Sequence, residues 1–266
     1  MNTDGSMQHP LTNDAQNIVP LDLYNRGQIA WEKENNAIFY LYKRNIWSCG
    51  PAGDTPSALT SFGDVVSFKL SPNAERILFA REKTARHNGM WTMLSNGTNI
   101  RQVAESTIII PAYDWGDNDY FIYFHNRGIS TASYVGVDKK HFKSAYYLDN
   151  SIAWAKTENE RKSNRIAYIS DEGGYPDVWV MLPDGSGVKQ VTDKGGYNPV
   201  FHADGKHLFY SEKLDLYRIN IDTGEKLRLT YYFKSYFPVF AQVRVRDRAA
   251  VEKLSLIHIS EPTRPY

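Results

Sequence analysis

The sequence predicts an all-β chain, a β-propeller of four-stranded antiparallel blades, with about five blades and the start of a sixth. Three observations carry this. A unit of roughly 44 residues recurs along the 266-residue chain. Apolar positions within each unit alternate at period 2 rather than 3.6, the period of strands. The short apolar runs are separated by Gly, Asn, Asp and Pro, the residues of tight turns.

The unit has two signatures. The first is a short strand ending in an aromatic, a turn, and a second apolar strand. It reads Ile29-Ala30-Trp31 then Ala37-Ile38-Phe39-Tyr40, and Val66-Ser67-Phe68 then Ile77-Leu78-Phe79 across the turn Ser71-Pro72-Asn73-Ala74. Further copies are Ala112-Tyr113-Asp114-Trp115 with Tyr120-Phe121-Ile122-Tyr123, and Ile152-Ala153-Trp154 with Ile166-Ala167-Tyr168-Ile169. A fifth is Pro199-Val200-Phe201 with Leu208-Phe209-Tyr210, and a sixth opens at Pro238-Val239-Phe240.

The second signature is an aromatic-bearing strand, a Gly turn, and a strand closing on Val or Leu, usually with Thr. It runs from Trp47 to Leu59-Thr60, Trp91 to Val103, Trp179 to Val191-Thr192, and Tyr217 to Leu229-Thr230. Trp91 follows Trp47 by 44 residues and Trp179 follows Trp91 by 88, so a further copy is expected near residue 135, where Tyr134 stands. Asn96-Gly97, Asp184-Gly185, Asp204-Gly205 and Thr223-Gly224 supply turns with positive φ. A lone four-stranded sheet leaves both faces bare, whereas blades packed round an axis bury one another. A β-sandwich, the other all-β solution, gives no reason for a 44-residue self-similarity.

The stretch Ser170-Asp171-Glu172-Gly173-Gly174-Tyr175-Pro176-Asp177-Val178-Trp179-Val180-Met181 resembles the repeat core of TolB-like (WD-repeat-like, PD40-type) propellers. So do Pro183-Asp184-Gly185-Ser186-Gly187 and Lys189-Gln190-Val191-Thr192 after it. Asn198-Pro199-Val200-Phe201-His202-Ala203-Asp204-Gly205-Lys206 is similar to the inner hairpin, with His202-Ala203 where the family has Ser-Pro. The resemblance covers about residues 28–241, and it speaks for fold far more than for function. It implies a propeller of the kind used by periplasmic Tol-system proteins, by the N-terminal domain of prolyl oligopeptidase-like enzymes and by some polysaccharide lyases.

Outside the repeats, residues 1–27 read as a polar, poorly ordered lead-in. Residues 242–266 leave the pattern, and residues 254–266 resemble a translated sequencing-library adaptor. The expectation is a C-terminally truncated fragment whose sixth blade is unfinished. Polar MNTDGSMQHP is not a signal peptide, and no run approaches 18 apolar residues, so membrane insertion is not expected. The resemblance leaves a periplasmic or cell-envelope location and a cytoplasmic one both open. Cys49 is the one cysteine, which excludes an intrachain disulfide. With 31 basic against 30 acidic residues, nothing suggests a nucleic-acid partner.

No catalytic constellation is legible. Gly128-Ile129-Ser130-Thr131-Ala132 comes nearest to a nucleophile elbow, but it falls where the repeat demands a strand. Asp117 and Asp119 belong to a turn, as does the sequon-like Asn96-Gly97-Thr98. His202 and His207 are five apart and could share a metal, but no acidic third ligand is obvious, so neither metal nor cofactor is expected. Trp47, Trp91, Trp179 and Tyr217 are repeat-equivalent, hence inter-blade core.

A site is expected on loops. Strands of a blade are lettered A to D from the axis outward. The D–A and B–C connections share one end, and are expected to be longer than the tight A–B and C–D turns. They carry Phe62, Asp64, Arg86, His87, Asn88, Glu172, Lys194 and Lys234, and a tyrosine-rich set: Tyr175, Tyr197, Asn198, Tyr231, Tyr232 and Tyr236. Tyrosine among adaptable polar neighbours is the composition of binding surfaces. The expectation is a non-catalytic scaffold that binds a protein or peptide there, monomeric when the propeller is intact. The alternative is the substrate-gating propeller of a prolyl oligopeptidase-like serine hydrolase.

Overall fold

The computed structural model describes residues 29–32, 36–52, 55–82, 88–106, 112–117, 119–125, 128–143, 152–155 and 164–230. The polar lead-in, the opening of a sixth blade and the C-terminal tail lie outside them. Among the described residues, twenty strands form five four-stranded antiparallel sheets, each in sequential order. Blade 1 is β1 (Ile29–Glu32), β2 (Ala37–Tyr42), β3 (Asn45–Cys49) and β4 (Ser57–Ala58). Blade 2 is β5 (Val65–Leu70), β6 (Arg76–Glu82), β7 (Asn88–Leu94) and β8 (Arg101–Ser106). Blade 3 is β9 (Tyr113–Trp115), β10 (Tyr120–His125), β11 (Gly128–Ser133) and β12 (Lys140–Lys143). Blade 4 is β13 (Ile152–Trp154), β14 (Ile166–Ser170), β15 (Asp177–Met181) and β16 (Lys189–Gln190). Blade 5 is β17 (Tyr197–Phe201), β18 (His207–Glu212), β19 (Asp215–Asn220) and β20 (Lys226–Arg228). No described helix is long and apolar enough to cross a membrane.

The core is four slabs, one between each pair of consecutive blades. Strand B sits mid-blade and feeds two slabs at once. In β6, Ile77 and Phe79 join Phe39 and Ile46 of blade 1, while Leu78 and Ala80 join Trp115 and Phe121 of blade 3. In β10, Phe121 and Tyr123 face blade 2, and Ile122 and Phe124 face Trp154 and Ile166 of blade 4. In β14, Ile166 and Tyr168 face blade 3, and Ala167 faces Leu208 and Tyr210 of blade 5. Successive side chains point to opposite faces of a strand. With both faces covered, these strands read as continuous apolar runs, not as the alternation expected from the sequence.

Strand pairing places the repeated aromatic. On strand C it stands opposite a strand B aromatic: Trp47 with Tyr40, Trp91 with Phe79, Trp179 with Tyr168, and Tyr217 with Tyr210. In blade 3 the residue opposite Tyr123 is Ser130, which corrects the expectation of Tyr134. Tyr134 lies past the end of β11, where it accepts a hydrogen bond from Thr92 on its carbonyl and packs its ring under the Arg76 guanidinium. The midpoint of an 88-residue interval misleads because the two repeats differ in length: Ser130 follows Trp91 by 39 residues and precedes Trp179 by 49. The longer interval holds the connections 144–151 and 155–165.

Inner strands are cross-linked by polar groups as well as packing. The Tyr113 hydroxyl donates to Ser67 Oγ at 2.8 Å and Trp115 Nε1 donates to the Lys69 carbonyl at 3.0 Å, tying β9 to β5. Asp114 takes Lys69 Nζ at 3.2 Å on one oxygen and the Trp154 backbone N–H at 3.1 Å on the other. One buried carboxylate thus spans three blades. Burial raises the Tyr113 hydroxyl far above the ordinary tyrosine range, against the lowering effect of its bond to Ser67.

Candidate functional site

The loop end differs from expectation in detail. Three B–C connections are only two residues long: 43–44, 126–127 and 213–214. Lys43 and Arg44 both adopt positive φ, 49° and 55°, as a two-residue hairpin demands. The long B–C connection among the described residues is 171–176 in blade 4. C–D turns run to five to seven residues, because the Gly at their tip sits inside a wider loop.

That blade 4 loop carries Tyr175, which is 73% exposed. Tyr197 and Asn198 prove to be the first residues of β17 rather than loop residues. They sit in a bulge: the register with β18 shifts between Tyr197 and Val200, and Asn198 takes φ 53°. Asn198 Nδ2 donates to Ser211 Oγ at 3.2 Å, and that hydroxyl donates to the Tyr197 carbonyl at 3.2 Å. Tyr197 is half-buried and Asn198 exposed. The Gly196 N–H donates to the Pro176 carbonyl at 3.0 Å, so the loop bearing Tyr175 and the connection entering Tyr197 are one hydrogen-bonded unit. Tyr231, Tyr232, Tyr236 and Lys234, with Arg86 and His87, lie outside the described residues.

Beneath this unit is an element that sequence reading missed. Asp177, fully buried at the start of β15, accepts Thr192 Oγ1 at 2.7 Å and Gly195 N–H at 2.9 Å on one oxygen, and Gln190 Nε2 at 3.1 Å on the other. Thr192 Oγ1 in turn accepts the Val178 N–H at 2.9 Å. The arrangement recurs as Asp215 with Thr230 and Leu216 N–H, and as Asn45 with Thr60, Ile46 N–H and Gly63 N–H. An Asp or Asn followed 15 residues later by Thr was the available signal.

Phe62 and Asp64, candidates on the same end, are largely engaged in holding blades 1 and 2. Asp64 takes a bidentate pair from Arg81 at 2.7 and 2.9 Å, and the Arg81 guanidinium lies 3.6 Å from the centre of the Phe62 ring. Arg44 reaches Glu82 at 2.7 Å beside them.

Other features settle as turns or strands. Ser130 is internal to β11 and its Oγ lies 2.9 Å from His141 Nδ1, so the elbow-like run is strand as expected. Asp117 Oδ1 accepts the N–H of Asp119 and Tyr120, and Asn96 Oδ1 accepts the N–H and hydroxyl of Thr98.

The blade 5 A–B turn is richer than its sequence suggested. His202 and His207 flank it, and Asp204 folds back between them, supplying the acidic third group not expected from the sequence. Asp204 Oδ2 is 2.6 Å from His207 Nδ1 and 3.1 Å from His202 Nδ1, and the three donor atoms lie within 4.8 Å of one another. Oδ1 accepts the backbone N–H of Lys206 and of His207. Burial works to raise the Asp204 carboxyl, but the backbone and ring of His207, the backbone of Lys206 and the charge of His202 outweigh it. The group is held well below the usual carboxylate range.

Repeated four-stranded blades in sequential order, packed face to face, make this a β-propeller. In fold it resembles TolB-like propellers. Residues of this chain are 30% identical over 88 residues to the Tol-Pal system protein TolB of Helicobacter hepaticus, a match covering 29% of this chain and 21% of that protein. The fold matches TolB from Acinetobacter baumannii with a TM-score of 0.54 at 17% identity, covering 76% of this chain and 52% of that one. It matches a putative TolB from Agrobacterium tumefaciens at 0.55 and 16% identity, covering 76% and 79%. A puromycin-hydrolyzing peptidase of Mycobacterium tuberculosis matches at 0.54 and 14% identity, covering 76% of this chain and 38% of that one. No family model matches the chain. This chain therefore spans about a fifth of the curated relative and about half of the Acinetobacter protein. At these identities the likeness to the solved structures is one of fold.

Proposed function

We propose that this propeller is a non-catalytic scaffold that captures a protein or peptide at the D–A and B–C loop end, with Tyr175, Tyr197 and Asn198 as described contact residues. The observation that carries this is the hydrogen-bonded unit of the 171–176 loop and β17. It holds a 73% exposed tyrosine beside a bulged strand end on a buried Asp–Thr support. A rigid, exposed aromatic gives large contact area at little ordering cost. Tyr231, Tyr232 and Tyr236 are proposed to extend the same surface. Similarity to a Tol-Pal system protein supports a role in protein assembly, and makes a periplasmic or envelope setting the one to test first.

The test is selection from a displayed peptide library on wild-type protein, followed by measured affinity of the selected peptides for Tyr175→Ala and Tyr197→Ala. Weakening of at least about tenfold in either variant, with unchanged thermal unfolding, supports the assigned end. Equal affinity in both rejects it.

A second reading, the gating propeller of a serine hydrolase, is favoured by the peptidase match. It is decided by the complete reading frame. A Gly-x-Ser-x-Gly elbow beyond the blades would favour it, and a full-length frame without one would remove it.

A further inference from the structure

We propose that His202, Asp204 and His207 form a binding site for a divalent transition-metal ion, Zn²⁺ by ligand chemistry. The site stands apart from the scaffold reading. It occupies the A–B turn of blade 5, at the far end of β17 from Tyr197.

The backbone brings the three groups together. The His202 N–H donates to the His207 carbonyl at 2.9 Å, so the two histidines face each other across the mouth of the hairpin. Their rings are 6.2 Å apart and edge-to-face. Between them, the Asp204 carboxylate divides its work. Oδ1 caps the turn through two backbone N–H groups at 2.8 and 2.9 Å, which fixes the carboxylate without consuming Oδ2. Oδ2 is aimed at both imidazoles.

The His207 Nδ1–Asp204 Oδ2 hydrogen bond, with His202 Nδ1 3.1 Å from the same oxygen, is an arrangement that a cation can take over. Around tetrahedral zinc, with bonds of about 2.0–2.1 Å, neighbouring ligand atoms stand roughly 3.3 Å apart. To reach that spacing the 2.6 Å separation opens by about 0.7 Å and the 3.1 Å one by about 0.2 Å. Binding displaces the hydrogen bond between His207 Nδ1 and Asp204 Oδ2, and the 3.2 Å contact from the Asp204 N–H to His202 Nδ1. Two imidazoles and one carboxylate suit zinc over magnesium or calcium, which prefer oxygen. Each side chain is about a third exposed, so an ion can enter and a coordination position stays open to water.

Zinc titration of the tag-free 266-residue chain by calorimetry tests the proposal, with visible absorption of a Co²⁺ complex reporting geometry. One equivalent should bind saturably, and the cobalt spectrum should be four-coordinate. His202→Gln and His207→Gln should each weaken binding by more than about 100-fold, since even loss of an outer-shell partner costs 10–100-fold. Asp204→Asn keeps an oxygen to cap the turn and should lose zinc to a similar degree. Zinc should raise the thermal midpoint of the wild type and of none of these variants. Absence of a saturable one-equivalent event, or wild-type affinity in either histidine variant, overturns the site. The histidine variants decide the matter even if Asp204→Asn does not fold, because neither ring is part of the core.

Discussion

Asp177 and Thr192, 15 residues apart in sequence, meet at 2.7 Å between Oδ1 and Oγ1, and through them strand C of blade 4 is clamped to the end of its strand D and to the connection entering blade 5. The carboxylate is buried, yet it accepts three donors, so its desolvation is offset by charge-assisted bonds. The clamp also sets where the chain leaves one blade for the next, and so aims the loop that carries Tyr175.

Removing half of this clamp strands the other half. Thr192→Val leaves the Val178 N–H and one Asp177 oxygen short of a partner, and should cost about 1–3 kcal/mol in denaturant unfolding. Asp177→Ala should cost at least as much. The double variant should cost less than the two added together, with a coupling of about 0.5–3 kcal/mol. Additive losses would show that the two residues act separately.

Gly116 is fixed by its neighbour across the blade interface. A Cβ there would stand 2.4 Å from the Trp154 indole, which is buried between blades 3 and 4. Gly116→Ala should destabilise by about 1–3 kcal/mol through overpacking. A change within about 0.5 kcal/mol, the range of ordinary surface substitutions, would mean that the indole can shift freely.

Alkaline pH should loosen the blade 3–4 interface. Burial first, and the charge of Glu172 second, push the Tyr168 hydroxyl up to about 12 from 10.0. The folded state then holds a proton that the unfolded chain has lost, so stability is intact below pH 10 and falls as pH rises toward 12. Tyr168→Phe should flatten that fall in equilibrium unfolding measured across this range. An unchanged slope would refute the assignment to Tyr168.

Ile29 and Trp31 alternate on one face of β1 and are 71% and 62% exposed, and Val200 on β17 is 58% exposed. Exposed apolar strand faces associate. Light scattering of the purified chain should show self-association that Ile29→Thr with Trp31→Thr reduces. Scattering identical in wild type and variant would place the contact elsewhere.

Much of the fold was legible. Each expected first-signature hairpin that falls among the described residues is a strand A–strand B pair, because short apolar runs cut by turns such as Ser71-Pro72-Asn73-Ala74 and Ala203-Asp204-Gly205 admit few other structures. Trp47, Trp91, Trp179 and Tyr217 share one slot, half-buried at the blade interfaces. Blade 3 was misread at Tyr134, because a repeat fixes average spacing and says nothing of how unequal connections divide it. The candidate site was legible in part. Tyr175 is the exposed loop residue expected, whereas Tyr197 and Asn198 belong to a bulged strand that only pairing with Ser211 reveals.

The sequence by itself determined the number and order of the described blades, since hydrophobic period and turn chemistry are local properties of the chain. Tertiary structure alone decided which distant polar groups meet. Asp114 bridges Lys69 and Trp154, 45 and 40 residues away, and Tyr113 reaches Ser67, 46 residues away. The same Asp-Gly turn chemistry serves a simple hairpin at Asp184 and a His–Asp–His cluster at Asp204. What separates them is the side chain that pairing sets across the hairpin mouth.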